Sequence, residues 1–280
     1  MTEEPVLALE RLSVALPDRS KKPLFGAPPL RTIVADVDLS VARGECVGVV
    51  GESGSGKSTL ARAMVRLYEP AAGVVRFEGI DITHRPAAEL RRVRERLQIV
   101  FQDSQSALNP RLSIGSQLAE PLLAYGRVRR AADARDRVMA LLETVGLGPQ
   151  HAKRYPHQLS GGQRQRIGIA RAMALSPAAI VADEIVSGLD VSVQAHVLDL
   201  LDGLRRRERL SVVLISHDLS VVRTVCDRVA VMREGRIVEC GPTAEVFERP
   251  RHPYTARLLS AIPLPVVDRD WIDALPAGEE

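Results

Sequence analysis

The run Cys46-Val47-Gly48-Val49-Val50, followed at once by Gly51-Glu52-Ser53-Gly54-Ser55-Gly56-Lys57-Ser58, decides the fold. The first five residues are nearly all apolar, as expected of a strand buried on both faces. After Ser58, the residues Leu60, Ala63, Met64 and Leu67 recur at i, i+3, i+4 and i+7, which predicts an amphipathic helix. The loop between them fits GxxxxGK[ST], so strand, glycine loop and helix stand in the order that phosphate binding requires. The glycines let backbone N–H groups converge on phosphate oxygens, and the helix adds the positive end of its dipole. Lys57 is placed to reach the β- and γ-phosphates, and the Ser58 hydroxyl to ligate Mg²⁺.

Working outward, strand patterns alternate with helical ones, the signature of an α/β protein. Upstream, residues 6–14 and 32–41 alternate apolar with polar side chains as strands do, around a loop rich in Pro, Lys and Gly at 17–29. Downstream, 74–77 reads as a strand, 90–96 as a basic helical segment and 97–101 as a strand. Between Gln102 and Leu159 the strand runs vanish, and spacings such as Val138, Leu141, Leu142 and Val145 predict helices inserted into the core. Buried strands return at 179–182 and 212–215, separated by a helix at 193–204. Two apolar runs at 229–232 and 237–239 flank Gly235 as a hairpin. The end of the chain carries Pro263, Pro265 and Pro276 and is expected to be irregular over 263–280.

Composition excludes several classes. The 280 residues suffice for a sizeable core without disulfides or a structural metal. Three cysteines, Cys46, Cys226 and Cys240, form no CxxC pair and read as reduced buried thiols. Thirty-eight Lys and Arg stand against 35 Asp and Glu, interspersed, so nucleic-acid binding gets no support from charge. The acidic start Met-Thr-Glu-Glu-Pro is no signal peptide, and no apolar run approaches the roughly 20 residues that span a bilayer.

Two further segments carry chemistry. Asp183-Glu184 ends a buried strand, at the sheet edge where ligands of α/β proteins collect. There Asp183 would hold Mg²⁺ and Glu184 would polarise the attacking water. Leu159-Ser160-Gly161-Gly162-Gln163 opens a helix running toward Ala174, a second anion-binding helix N-terminus in one chain.

With these segments in order, the chain resembles the nucleotide-binding subunits of ABC transporters. Gln102 matches that family's Q-loop, Ser187-Gly188-Leu189-Asp190 its D-loop, and His217 in Ile215-Ser216-His217-Asp218 its switch histidine. More specific strings resemble the oligopeptide, dipeptide and nickel importer branch: Ser106-Ala107-Leu108-Asn109-Pro110-Arg111, Tyr155-Pro156-His157-Gln158 and Pro250-Arg251-His252-Pro253-Tyr254-Thr255.

The resemblance implies a P-loop NTPase (RecA-like) core with an N-terminal antiparallel β subdomain and a helical subdomain inserted at about 103–165, the whole cassette covering 1–262. It implies an ATPase that powers a binding-protein-dependent importer, most readily for oligopeptides or dipeptides, with nickel or another small solute as the alternative cargo and a soluble non-transport ABC ATPase as the less favoured class. ATP and Mg²⁺ would be held by Gly51 to Thr59 and Gln102, with Ser58, Gln102 and Asp183 on the metal. Glu184 and His217 would be catalytic. Two such domains sandwich two nucleotides head to tail, so Leu159 to Gln163 would serve a partner's ATP and Asp190 the dimer seam. The implied partners are a second ABC ATPase subunit, two transmembrane permeases and, through them, a solute-binding protein, with the chain peripheral on the cytoplasmic face of the inner membrane.

Three departures stand out. The family's Asp-Glu-Pro is Asp183-Glu184-Ile185 here, which predicts a less rigid loop because Pro alone fixes φ. The aromatic expected over adenine is replaced by Leu16, and Phe25 is the only aromatic upstream of Gly51, leaving either residue to cover the base. The iron–sulfur cysteine cluster that many relatives carry near the C-terminus is missing, since the last cysteine is Cys240.

Overall fold

The computed structural model describes residues 4–18, 26–102 and 107–261. Two sheets are stacked with a helix between them. The first is antiparallel, in the order β2-β1-β4-β5, from β1 (Leu7–Pro17), β2 (Leu30–Val41), β4 (Ala72–Phe77) and β5 (Ile80–Asp81). Its strands alternate buried and exposed residues, and β1 pairs Leu7, Leu9 and Val14 with Val41, Leu39 and Val34 of β2.

The second sheet has the order β10-β9-β3-β8-β7-β6. Its strands are β3 (Cys46–Val50), β6 (Leu97–Val100), β7 (Ala179–Asp183), β8 (Ser211–Ile215), β9 (Arg228–Arg233) and β10 (Arg236–Pro242). The pairs β6–β7, β7–β8, β8–β3 and β3–β9 are parallel, and β9–β10 is an antiparallel hairpin. Every residue of β3, β7 and β8 is buried, because helices or the other sheet cover both faces.

Alternation along these strands feeds two cores. Val47, Val49, Val181, Val213, Ile215 and Met232 point to the core shared with the antiparallel sheet. Cys46, Val50, Ile180, Ala182, Leu214 and Val231 point to the helical side. Helix α1 (Lys57–Met64) lies in the first core, burying Leu60, Ala61, Ala63 and Met64. α2 (Ala87–Arg96) leads into β6. Between β6 and β7 the described residues form α3 (Ile114–Ala124), α4 (Arg135–Thr144), α5 (Gly161–Met173) and short 3-10 turns, without a strand. Ile114, Leu118, Leu122, Val138, Leu142 and Ile167 of these helices join the second core. After β7 come α6 (Val191–Glu208), α7 (Leu219–Val225), α8 (Thr243–Glu248) and α9 (Pro253–Ser260).

Two sequence expectations are corrected. Leu67 does not lie on the α1 face: the helix ends at Met64 and Leu67 is 48% exposed. Arg66 turns into the left-handed region at φ 55, where its Nε donates to the Ile82 carbonyl and its guanidinium to the Tyr68 carbonyl. The bond to Ile82, 16 residues on, holds the turn that ends the helix before its apolar period does. Of the three cysteines, Cys46 and Cys226 are buried with their sulfurs 3.5 Å apart, but Cys240 is exposed on β10 at the sheet edge. Among the described residues, no helix is long and apolar enough to cross a membrane.

Candidate nucleotide site

Parallel pairing of β6, β7, β8 and β3 brings four carboxyl ends to one edge. Each end delivers a residue group: Gln102 after β6, Asp183 and Glu184 from β7, His217 after β8, and the loop Gly51–Gly56 after β3. Neighbouring strand ends are tied together, with Glu184 N donating to the Ile215 carbonyl and Ser216 N to that of Val49. Segments far apart in sequence thus converge, at the place where open α/β sheets bind ligands.

The glycine loop is held from outside as well as by its own turns. Gly51 has φ 151, and a Cβ there would fall 2.1 Å from the Met232 carbonyl of β9, so only glycine fits this close approach. At the β9–β10 turn, Glu234 and Gly235 both have positive φ, and Gly235 N donates to the Ser55 carbonyl.

Lys57 is 5% exposed, and its ammonium donates to the Gly51 carbonyl at 2.7 Å and the Glu52 carbonyl at 2.7 Å, with Ser55 Oγ at 3.4 Å. Burial pushes this ammonium below its ordinary 10.5, while the carboxylates of Glu184, Asp183 and Glu52 pull it back toward the charged form. A phosphate would compensate the same buried charge.

One residue further on, at the start of α1, Ser58 Oγ donates to Asp183 Oδ1 at 3.0 Å. Asp183 is 3% exposed, and burial raises its carboxyl above the ordinary 3.8 against the Ser58 hydrogen bond and the Arg62 charge. A hydroxyl and a buried carboxylate in contact are hard oxygen donors, which fits Mg²⁺ completed by water and phosphate oxygens. When bound, the ion would neutralise charge on the β- and γ-phosphates.

Glu184 adopts φ 51, an unusual conformation for a residue with a side chain, and its Oε2 lies 3.4 Å from His217 Nδ1. The next residue, Ile185, is 1% exposed within the helical-side core, and Ser187 N closes a turn on the Glu184 carbonyl. Where proline would restrict φ, packing of Ile185 anchors this turn.

The LSGGQ segment lies elsewhere. Ser160 caps α5 in a capping box with Gln163: Gln163 N donates to Ser160 Oγ, and Ser160 N to Gln163 Oε1. A Cβ on Gly162 would fall 2.3 Å from Val193 Cγ1, and one on Gly161 3.1 Å from Leu189 Cδ2. The glycines therefore let α5 seat on Leu189 and on Val193 at the start of α6, beside which Asp190 is exposed. Gln102 is also exposed. Leu16 lies near the end of β1 opposite Arg31, partly buried against the inter-sheet core. Phe25 lies outside the described residues.

A family model for ABC transporters matches residues 34–187, more than half of the chain. The chain belongs to the ABC transporter family. A second model, the C-terminal region of oligopeptide/dipeptide transporters, matches residues 238–279 of this ABC protein. A putative peptide import ATP-binding protein of Brucella ovis is 48% identical over 268 residues, covering 96% of this chain and 82% of that protein. The oligopeptide transport ATP-binding protein OppF of Salmonella typhimurium is 47% identical over 264 residues, covering 94% and 79%. Among solved structures, a dimeric post-hydrolysis ATP-binding cassette bound to ADP and Pi superposes with TM-score 0.73 at 28% identity, covering 85% of this chain and 98% of that one. CbiO1 of Clostridium perfringens, part of an ABC transporter complex, gives 0.74 at 27% identity, covering 88% and 92%. Like these cassettes, this ABC protein is an ATPase of P-loop fold.

Sequence reasoning missed one group at the site. The hydroxyl of Tyr254, on α9, accepts a hydrogen bond from Glu52 N in the glycine loop at 3.1 Å. The string around Tyr254 stands out in the sequence as typical of a branch, but nothing local ties it to a loop 202 residues away.

Proposed function

We propose that this ABC ATPase powers a binding-protein-dependent importer of oligopeptides or dipeptides. The observation that carries this reading is the convergence of Lys57, Ser58, Asp183, Glu184 and His217 on one sheet edge, in a chain whose C-terminal part matches the oligopeptide/dipeptide transporter region. Relatives named for peptide import, at 47–48% identity over nearly the whole chain, support the cargo class.

In this reading the cassette spans 1–262, with 103–165 as the inserted helical part. Backbone N–H groups of residues 53–59 and the N-terminus of α1 cradle the phosphates. Lys57 has three donors; two serve the Gly51 and Glu52 carbonyls at 2.7 Å, and the third, held only by the long 3.4 Å contact to Ser55 Oγ, turns to a phosphate oxygen. Ser58, Asp183 and Gln102 hold Mg²⁺. Glu184 orients and polarises the attacking water, and His217 contacts the γ-phosphate. Leu16 or Phe25 covers the adenine. Ser160, Gly161 and Gly162 complete the site of a second ATPase subunit across a seam containing Asp190. Two permeases supply the membrane passage, and the chain sits peripherally on the cytoplasmic side of the inner membrane.

The test is reconstitution of the chain with its permeases and second ATPase in vesicles, with ATP hydrolysis followed as binding protein is added. Hydrolysis is expected to rise with peptide-loaded binding protein and not with the empty form. Robust hydrolysis indifferent to peptide refutes the cargo class while leaving the ATPase intact.

A further inference from the structure

The C-terminal segment reaches back to the phosphate loop through one buried side chain. Glu239 on β10 accepts hydrogen bonds from Arg251 N at 2.8 Å and His252 N at 3.0 Å, which fixes the approach to α9. His252 then caps the helix, its Nδ1 accepting from Tyr254 N, and Pro253 occupies the first turn. Tyr254 is thereby held 3% exposed, with the Arg233 guanidinium 5.2 Å from its ring centroid.

The hydrogen bond that this Tyr makes has a specific target. The Glu52 N–H and the Gly51 carbonyl belong to one peptide plane. Tyr254 Oη takes the N–H at 3.1 Å, and Lys57 Nζ takes the carbonyl at 2.7 Å. A peptide plane held at both ends cannot rotate without breaking one of the two bonds. Its rotation would carry away the acceptor that places the Lys57 ammonium. The side chain of Glu52 is exposed, and a cleft of about 570 Å³ lies outside the loop, lined by Glu52, Ser53, Arg233, Tyr254 and Arg257. Water can therefore take over the N–H if the hydroxyl is removed, so the fold tolerates its loss, but mobile water does not fix the plane.

We propose that Tyr254 is a positioning residue for ATP binding and hydrolysis: its hydroxyl sets the Gly51–Glu52 peptide, and through it the Lys57 ammonium that meets the phosphates. This rests on residues 51–58 being the phosphate loop. It gives α9, in the part of the chain matched by the oligopeptide/dipeptide C-terminal region, a role at the nucleotide.

The test is a double-mutant cycle on the full chain, with ATP dissociation constants measured by calorimetry for wild type, Tyr254→Phe, Lys57→Arg and the double variant. Phe keeps the ring and its packing. Loss of one neutral hydrogen bond is expected to weaken ATP binding about 3- to 10-fold. Lys57→Arg cannot seat its planar fork on the same two carbonyls, so on that background Tyr254→Phe is expected to change affinity less than twofold. Unchanged affinity for Tyr254→Phe overturns the proposal, as does an equal loss on both backgrounds, which general destabilisation would give. Lys57→Arg with undiminished ATP affinity instead refutes the reading of the phosphate loop itself.

Discussion

Replacing Glu184 by Gln separates chemistry from structure at this site. The amide has the same shape and tolerates the same left-handed backbone, where φ is 51 and the N–H is bound to the Ile215 carbonyl. What disappears is the negative charge 3.4 Å from His217 Nδ1. That contact is partly solvated, with His217 57% exposed, so its loss costs about 1 kcal/mol of folding free energy or less. A side chain that takes part in proton movement at the attacking water contributes about 10²- to 10⁴-fold in rate, which corresponds to about 3–5 kcal/mol of barrier. Barrier and stability effects should therefore differ severalfold. The assay is phosphate release at saturating Mg-ATP by the assembled transporter, alongside thermal unfolding and ATP affinity of the isolated chain. The expected result is a collapse of turnover by at least 100-fold, with near-normal ATP affinity and an unfolding temperature within a few degrees of wild type. A folded variant that binds ATP and still turns over within tenfold of wild type would refute the assignment of Glu184.

Ser58→Ala removes the hydroxyl that meets Asp183 at 3.0 Å; the Mg²⁺ concentration for half-maximal hydrolysis should rise about 10-fold or more, and Ser58→Thr should largely restore it. Gly162→Ala places a methyl 2.3 Å from Val193 Cγ1, and valine is stiff at χ1, so overpacking should cost about 1–3 kcal/mol in thermal or urea unfolding. Adding Val193→Ala should recover most of that loss; no recovery would place the strain elsewhere. The fourth prediction concerns pH. Hydrogen bonding from Arg96, aided by Arg43, holds the Glu78 carboxyl below its ordinary 4.5 despite partial burial. A depressed carboxyl stabilises the fold fully above its unfolded value and less as pH falls through its folded one. Glu78→Gln should thus lower the unfolding temperature at pH 7, and the gap should narrow progressively as pH falls below 4.5; a pH-independent gap would exclude the ion pairs as the cause.

Much of this fold was legible because its deciding pieces are local. The strand, loop and helix at 46–64 are contiguous, and the loop conformation depends on glycines a few residues apart. Strands buried on both faces appear as unbroken apolar runs, and β3 has the bounds Cys46–Val50 that its run suggests. Where tertiary bonds compete with local period, the sequence pattern misleads. Arg66 is drawn to the Ile82 carbonyl and ends α1 early, exposing Leu67. Cys240 is exposed because β10 lies at the sheet edge, a consequence of strand order.

By itself the sequence determined which residue types stand at strand ends and in what order: the glycine loop, Gln102, the LSGGQ segment, Asp183-Glu184 and His217. Only the tertiary structure decided which of them touch. The order β3-β8-β7-β6 puts Ser58 on Asp183 and His217 beside Glu184, and it leaves LSGGQ packed on Leu189 and Val193. The return of α9 after the β9–β10 hairpin sets Tyr254 on Glu52. The physical reason is that periodicity and turn chemistry act over a few residues. Contacts across 125 or 202 positions depend on strand order and packing, which the whole set of buried surfaces chooses together.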